Sequence, residues 1–249
     1  MSSAAYLATL VGVGVLAGVV STVASLASVV SYPALLALGL PPVSANVTNT
    51  VALVFTGAGA AAGSRPELTG QGRLVARLGA LTALGGAVGA ALLLLTPASA
   101  FEAVAPVLIG AASLLLVVQP TIAALTARPG GQRSWPLRGT LSAAAVYLGY
   151  FGAAGGIIIL AVLSAMLDQP MARINALKNV LNGLANTAAA VAFALFGPVR
   201  WAAVAPLAAG FLAGGWIGPA LVRRLPGQVL RIAIGAGGVI LAVRLAIAA

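Results

Sequence analysis

Apolar runs broken by polar or Pro/Gly positions recur along the chain at about 4 to 22, 26 to 40, 44 to 63, 73 to 96 and 100 to 120. A second series follows at about 137 to 151, 154 to 168, 171 to 196, 201 to 222 and 228 to 248. A helix needs about 20 residues to cross a bilayer, so most of these runs predict membrane helices. The second run of each series is too short to cross comfortably and reads as a short or re-entrant segment. The pattern predicts an all-α integral membrane protein of two repeats, each of about five apolar segments. The repeats cover 1–125 and 137–249, and the Pro/Gly/Arg-rich stretch 126–136 links them on the cytoplasmic side.

The duplication is visible in the residues. Placing Asn46 on Asn175 aligns "NVTNTVAL" with "NALKNVLN" without a gap, and each block follows a proline (Pro41 and Pro42, Pro170) that closes a short apolar run. Orientation comes from the arginines, because cytoplasmic loops accumulate Lys and Arg. Arg65, Arg73 and Arg77 mark the loop after the third run as inside. Arg128, Arg133 and Arg138 do so for the linker, and Arg223, Arg224 and Arg231 for the last loop. The stretch "TPASAFEAV", with Glu102 and no basic residue, is then outside, as is the loop 197–200 in spite of Arg200. The loop after the third run thus falls inside in one copy and outside in the other. The repeats are expected to be inverted, with both termini outside. The start, "MSSAAYLATLVGVGVLAGVV", lacks the basic region of a signal peptide and reads as a retained first segment.

Composition agrees and narrows the chemistry. Hydrophobic residues make up 61% of the chain and charged residues 6%, with a mean hydropathy of +1.11, whereas soluble domains carry roughly 25% charged residues. The net charge of +10 does not indicate nucleic acid, since the arginines sit between apolar runs rather than on a basic face with aromatics. With no Cys and no His, the usual zinc and haem sites and Cys/His nucleophiles are excluded, and no metal or cofactor is expected. A membrane enzyme would need such groups or several acids, so the chain is not expected to be an enzyme.

Against this background "RINALKNVLNGLAN" (173–186) concentrates four asparagines and the only lysine of the chain. On a helix Asn175, Lys178, Asn179, Asn182 and Asn186 fall within an arc of about 100°. In the first copy Asn46, Asn49 and Thr50 occupy the equivalent face, with Asn49 where the second has Lys178 and Leu53 where it has Asn182. A charge at mid-membrane costs at least ~2.5 to 3.5 kcal/mol on insertion scales and normally faces a partner or a water-filled cavity. The stripe therefore reads as a site for a small anion: Lys178 supplies charge, and the amides and Thr50 donate hydrogen bonds. Gly152, Gly155 and Gly156 would add backbone N–H donors, as would the helix starts after Pro42 and Pro170. The competing reading makes the asparagines interhelical glue and has Lys178 snorkel to an interface or pair with Asp168 or Glu67. Those two acids are also the candidates for proton coupling. Arg173 reads as a cytoplasmic-end anchor, Arg244 as snorkelling, Trp135 and Trp201 as interfacial anchors, and Trp216 as packing. The spacings Gly14/Gly18, Gly85/Gly89 and Gly210/Gly214/Gly218 read as helix packing.

Three stretches carry a resemblance: "SYPALLALGLPPVSANVTNTVAL" (31–53), "GYFGAAGGIIILAVL" (149–163) with "RINALKNVLNGLAN", and "LRIAIGAGGVILAVRL" near the end. The chain resembles the sulfite exporter TauE/SafE family of membrane anion transporters over nearly its whole length. One departure is the first-half turn: members carry a Gly-rich turn before the proline, whereas this chain has "ASLASVVSYP". The resemblance implies a multi-pass protein of a bacterial plasma membrane that moves sulfite or a related organosulfonate. Together with the repeats it points to a secondary transporter working by alternating access at a midplane site, with proton coupling as a family expectation. An anion channel or uniporter of similar architecture is the alternative. The implied partners are a small anion and the lipid bilayer, with no nucleic acid and room for a homodimer.

Overall fold

The computed structural model describes residues 3–126, 134–152 and 155–224. Every element among the described residues is a helix: α1 (Ser3–Ala24), α2 (Ala27–Ala37), α3 (Pro42–Gly63), α4 (Arg65–Leu68), α5 (Gly72–Leu95), α6 (Ala98–Thr126), α7 (Ser134–Tyr150), α8 (Gly155–Met166), α9 (Met171–Phe196) and α10 (Trp201–Arg224). These match the expected segments to within a few residues, and the single turn of α4 is additional. The last expected segment, at 228 to 248, lies outside the described residues, as do Arg128, Arg133, Arg231 and Arg244.

The boundaries follow from local chemistry. Both α3 and α9 begin directly after a proline with extended backbone, Pro41 (ψ 150°) and Pro170 (ψ 140°). Proline is tolerated there because the first helical N–H groups have no intrahelical acceptor. Two further breaks interrupt the chain where α1 meets α2 and α7 meets α8. The first turns on Ser25, at φ 61°, and the second on Gly152, at φ 79°. Glycine takes that conformation freely, whereas for serine it is uncommon. The breaks leave α2 and α8 with 11 and 12 residues, roughly 17 Å of helix against a hydrocarbon core of about 30 Å.

Among the described residues, four helices are long and apolar enough to cross a membrane: Ser3–Val23, Gly72–Leu95, Met171–Phe196 and Trp201–Leu221. Their outward positions are apolar; Leu84, Leu95, Leu195 and Phe196 are exposed, while Asn46, Asn49, Thr50 and Lys178 are buried. That is the reverse of a soluble protein's distribution of charge and amide groups, and the chain is a multi-pass membrane protein. Trp216 packs with one edge of its ring against Gly63, as expected, and turns the rest of it, 64% exposed, outward. Helix α3 is as long as its neighbours but less apolar, because Asn46, Thr48, Asn49 and Thr50 fill its first half. Residues 44–53 are all buried against protein.

At the centre α3 packs on α9. Helix α10 covers α3 and α1, and α5 covers α9 and α7. Small residues allow these approaches. Gly14 faces Gly210 and Gly18 faces Gly214, so close that an added Cβ on Gly14 or Gly18 would lie 3.0 or 3.1 Å from the facing Cα. Gly85 and Gly89 abut α7 in the same manner, so these glycines serve helix packing as expected. Two contacts fix the relative direction of the central pair. The guanidinium of Arg173, at the start of α9, donates from Nε to the Glu67 carbonyl at 3.1 Å and from Nη2 to the Thr69 carbonyl, both in the segment after α3. At the other end, the Arg200 N–H beyond α9 donates to Thr48 Oγ1 near the start of α3 at 3.0 Å. Helices α3 and α9 therefore run antiparallel, and Arg173 anchors at the same level as Arg65 and Arg73.

Candidate functional site

The site is built where the break after α1 meets the polar stripe of α9. A helix leaves its last carbonyls without intrahelical donors, and α1 ends at Ala24. The freed Thr22 carbonyl accepts from Asn175 Nδ2 at 3.2 Å and, more distantly, from Lys178 Nζ at 3.4 Å. Lys178 Nζ also donates to Ser25 Oγ at 2.8 Å. Lys178 is 0% exposed, and its ammonium thus sits at the partially negative end of α1. Among the described residues no ion pair joins it to a side-chain carboxylate of Glu67, Glu102 or Asp168. Asp168 is exposed beyond α8, and Glu67 lies on α4.

The first copy repeats part of this arrangement. Asn46 Nδ2 donates to the Tyr150 carbonyl at 3.0 Å, so it holds the end of α7 as Asn175 holds the end of α1. Asn49, at the position equivalent to Lys178, donates from Nδ2 to Ser28 Oγ at 3.1 Å, again at the break after α1. Thr50 Oγ1 donates to the Asn46 carbonyl of its own helix at 3.0 Å. The rings of Tyr32, Phe151 and Phe101 pack beside Tyr150, with centroid separations of 5.6 Å and 5.9 Å.

Between these layers a small polar cavity of about 20 Å³ opens at the crossing of α3 and α9. Its walls include Ser21 and Ser25 from the end of α1, Thr56 and Gly57 from α3, Gly152 from the break after α7, and Asn179, Asn182, Gly183 and Asn186 from α9. Thr56 Oγ1, Asn179 Nδ2, Asn182 Oδ1 and Asn186 Oδ1 are buried without a hydrogen-bond partner. Each such atom costs roughly 1 to 3 kcal/mol unless water or a ligand satisfies it. The cavity can therefore hydrogen-bond a small polar guest from several directions. No cluster of metal-ligating residues occurs among the described residues.

The expected site residues separate into layers. Asn179, Asn182 and Gly152 line the cavity; Gly156 packs on Ser25 and Asn182, while Gly155 abuts Leu148 and Tyr147 and stays off it. Asn46, Asn175 and Thr50 are engaged at helix ends or within their own helix, and Lys178 lies one hydroxyl behind the cavity wall. Four further residues join them: Ser21, Ser25 and Thr56 on the wall and Ser28 behind Asn49. Thr56 was available to helical spacing, since Asn49, Leu53, Thr56 and Ala60 share a face. Ser25 and Ser28 belong to the stretch "ASLASVVSYP" that replaces the expected Gly-rich turn.

A family model described as sulfite exporter TauE/SafE matches residues 10–245. No match was found among curated proteins or among solved structures.

Proposed function

The chain belongs to the sulfite exporter TauE/SafE family, and on that premise we propose that it is a secondary transporter, and an exporter, of a small sulfur-containing anion such as sulfite or an organosulfonate. The observation that carries this reading is Lys178, fully buried, without a carboxylate partner among the described residues, and joined through Ser25 to a polar cavity at the crossing of the two central helices. A buried cation without a fixed counter-charge is costly, and an anionic guest in the cavity offsets that cost.

The packing supports two inverted repeats. Helices α1, α2, α3 and α5 correspond to α7, α8, α9 and α10. Accordingly α1 packs on α10 as α7 packs on α5, and α3 packs on α10 as α9 packs on α5. The antiparallel course of α3 and α9 is the one an inverted pair requires. Such repeats expose a midplane site alternately by rocking against each other, and the Tyr32, Phe151 and Phe101 rings form the barrier on the Asn46 side. For proton coupling, Glu67 and Asp168 both lie toward the end of the bundle where α9 begins. In this reading the chain spans a plasma membrane with both termini outside. A reporter active only in the cytosol is expected to stay inactive when fused at Ala249, and activity there would contradict the inverted topology.

Function is tested by flux into proteoliposomes and by thermal shift with sulfite, sulfoacetate, taurine, thiosulfate and sulfate. Saturable flux of at least one sulfur anion is expected, with counter-anion exchange. Conductance without saturation would favour the channel reading, and no flux of any anion would refute transport.

A further inference from the structure

The cavity carries a charge constraint. Its lining contains no charged side chain. Among the described residues, the one charge coupled to that lining by a hydrogen bond is Lys178, through Ser25 Oγ at 2.8 Å. On the reading of this cavity as the site of the transported anion, we propose that it takes a monovalent anion, sulfite in its hydrogensulfite form or a monosulfonate, held through the Ser25 hydroxyl, and that it discriminates against divalent anions and against sulfonates bearing an ammonium group.

The argument starts from charge balance. Lys178 lies within a membrane-spanning helix, seven positions after its first residue. One ammonium and one monovalent anion make a neutral pair at that depth. A divalent anion leaves one negative charge uncompensated, for which the insertion penalty of a lone charge corresponds to a loss of affinity on the order of a hundredfold. A zwitterion brings a second ammonium next to Lys178, and no carboxylate lines the cavity to receive it.

The hydrogen bonds point the same way. Ser25 Oγ accepts from Lys178, so its own hydrogen is free to point at a guest. Gly156 makes room for this hydroxyl, since a Cβ there would lie 2.8 Å from Ser25 Oγ. Thr56 Oγ1 and Asn179 Nδ2, on residues only 5% exposed, are unpartnered donors for the remaining oxyanion oxygens. These neutral donors orient an oxyanion without neutralising a second charge.

The test uses purified full-length protein and calorimetric titration with methanesulfonate and isethionate (monovalent), sulfate and 1,2-ethanedisulfonate (divalent) and taurine (zwitterionic). The monovalent sulfonates are expected to bind at least about tenfold more tightly than the divalent anions, and taurine is expected not to bind. A companion variant, Ser25→Gly, suits the left-handed backbone and folds, yet removes the hydroxyl. It is expected to lower methanesulfonate affinity by about tenfold or more, the worth of a hydrogen bond to a charged group, in protein that still purifies folded. Divalent anions or taurine binding as tightly as methanesulfonate would overturn the charge constraint and leave the anion-transport reading standing. Unchanged methanesulfonate affinity in Ser25→Gly would overturn the Ser25 contact. No binding of any of these anions, together with no flux of any sulfur anion, would remove the transport reading and this inference with it.

Discussion

Lys178→Met is expected to reduce anion flux in proteoliposomes below detection while the protein inserts and melts at a temperature no lower than the parent. Methionine keeps the length and apolar stem of lysine and removes only the charged end. The ammonium is fully buried, with a serine hydroxyl and a helix-end carbonyl as its partners. Removing it therefore relieves a desolvation burden of at least ~2.5 kcal/mol on insertion scales. The loss on the other side is small, because the Thr22 carbonyl keeps Asn175 and the Ser25 hydroxyl keeps the polar cavity. For a lysine serving structure alone the opposite pair of results is expected: a lower melting temperature and retained flux. Flux at the parent level in Lys178→Met, across sulfite and the organosulfonates, would refute the role assigned here.

Much of the helical framework was legible because membrane segments advertise themselves by length and by their breaks. Pro41, Pro42 and Pro170 marked the starts of α3 and α9, and the match of Asn46 to Asn175 picked out two equivalent positions, although not that each side chain would hold the end of a helix in the other half. The partner of Lys178 was not legible. Ser25 lies 153 positions away in sequence, and its part depends on a positive φ that is rare for serine. Periodicity places residues on a face but says nothing about which helix end will meet that face. For the same reason the stripe on α9 looked uniform, whereas the fold divides it into Asn175 at a helix end, Lys178 behind the wall, and Asn179, Asn182 and Asn186 on the wall.

The second large effect is expected where α3 and α9 cross. A Cβ built on Gly57 would lie 2.7 Å from the Gly183 Cα, and one built on Gly183 would lie 3.1 Å from the Gly57 Cα. Both obstacles are backbone, which cannot swing aside as the tip of a side chain can, so any added atom separates the helices. Overpacking of this kind typically costs about 1 to 3 kcal/mol for a methyl-scale insertion and more for a branched side chain. Gly57→Leu is therefore expected to abolish recovery of folded protein, and Gly57→Ala to lower the melting temperature by several degrees. Gly183→Ala is expected to be the milder alanine variant, since its contact is the looser of the two. Both glycines line the cavity, so the separation also carries Thr56 away from Asn179 and Asn182, and sulfite flux by surviving Gly57→Ala protein should fall further than its stability does. Size-exclusion profiles and thermal melts in detergent check the stability series, and flux normalised to folded protein checks the rest. A Gly57→Leu protein that melts and transports like the parent would show that the two halves do not meet at this crossing.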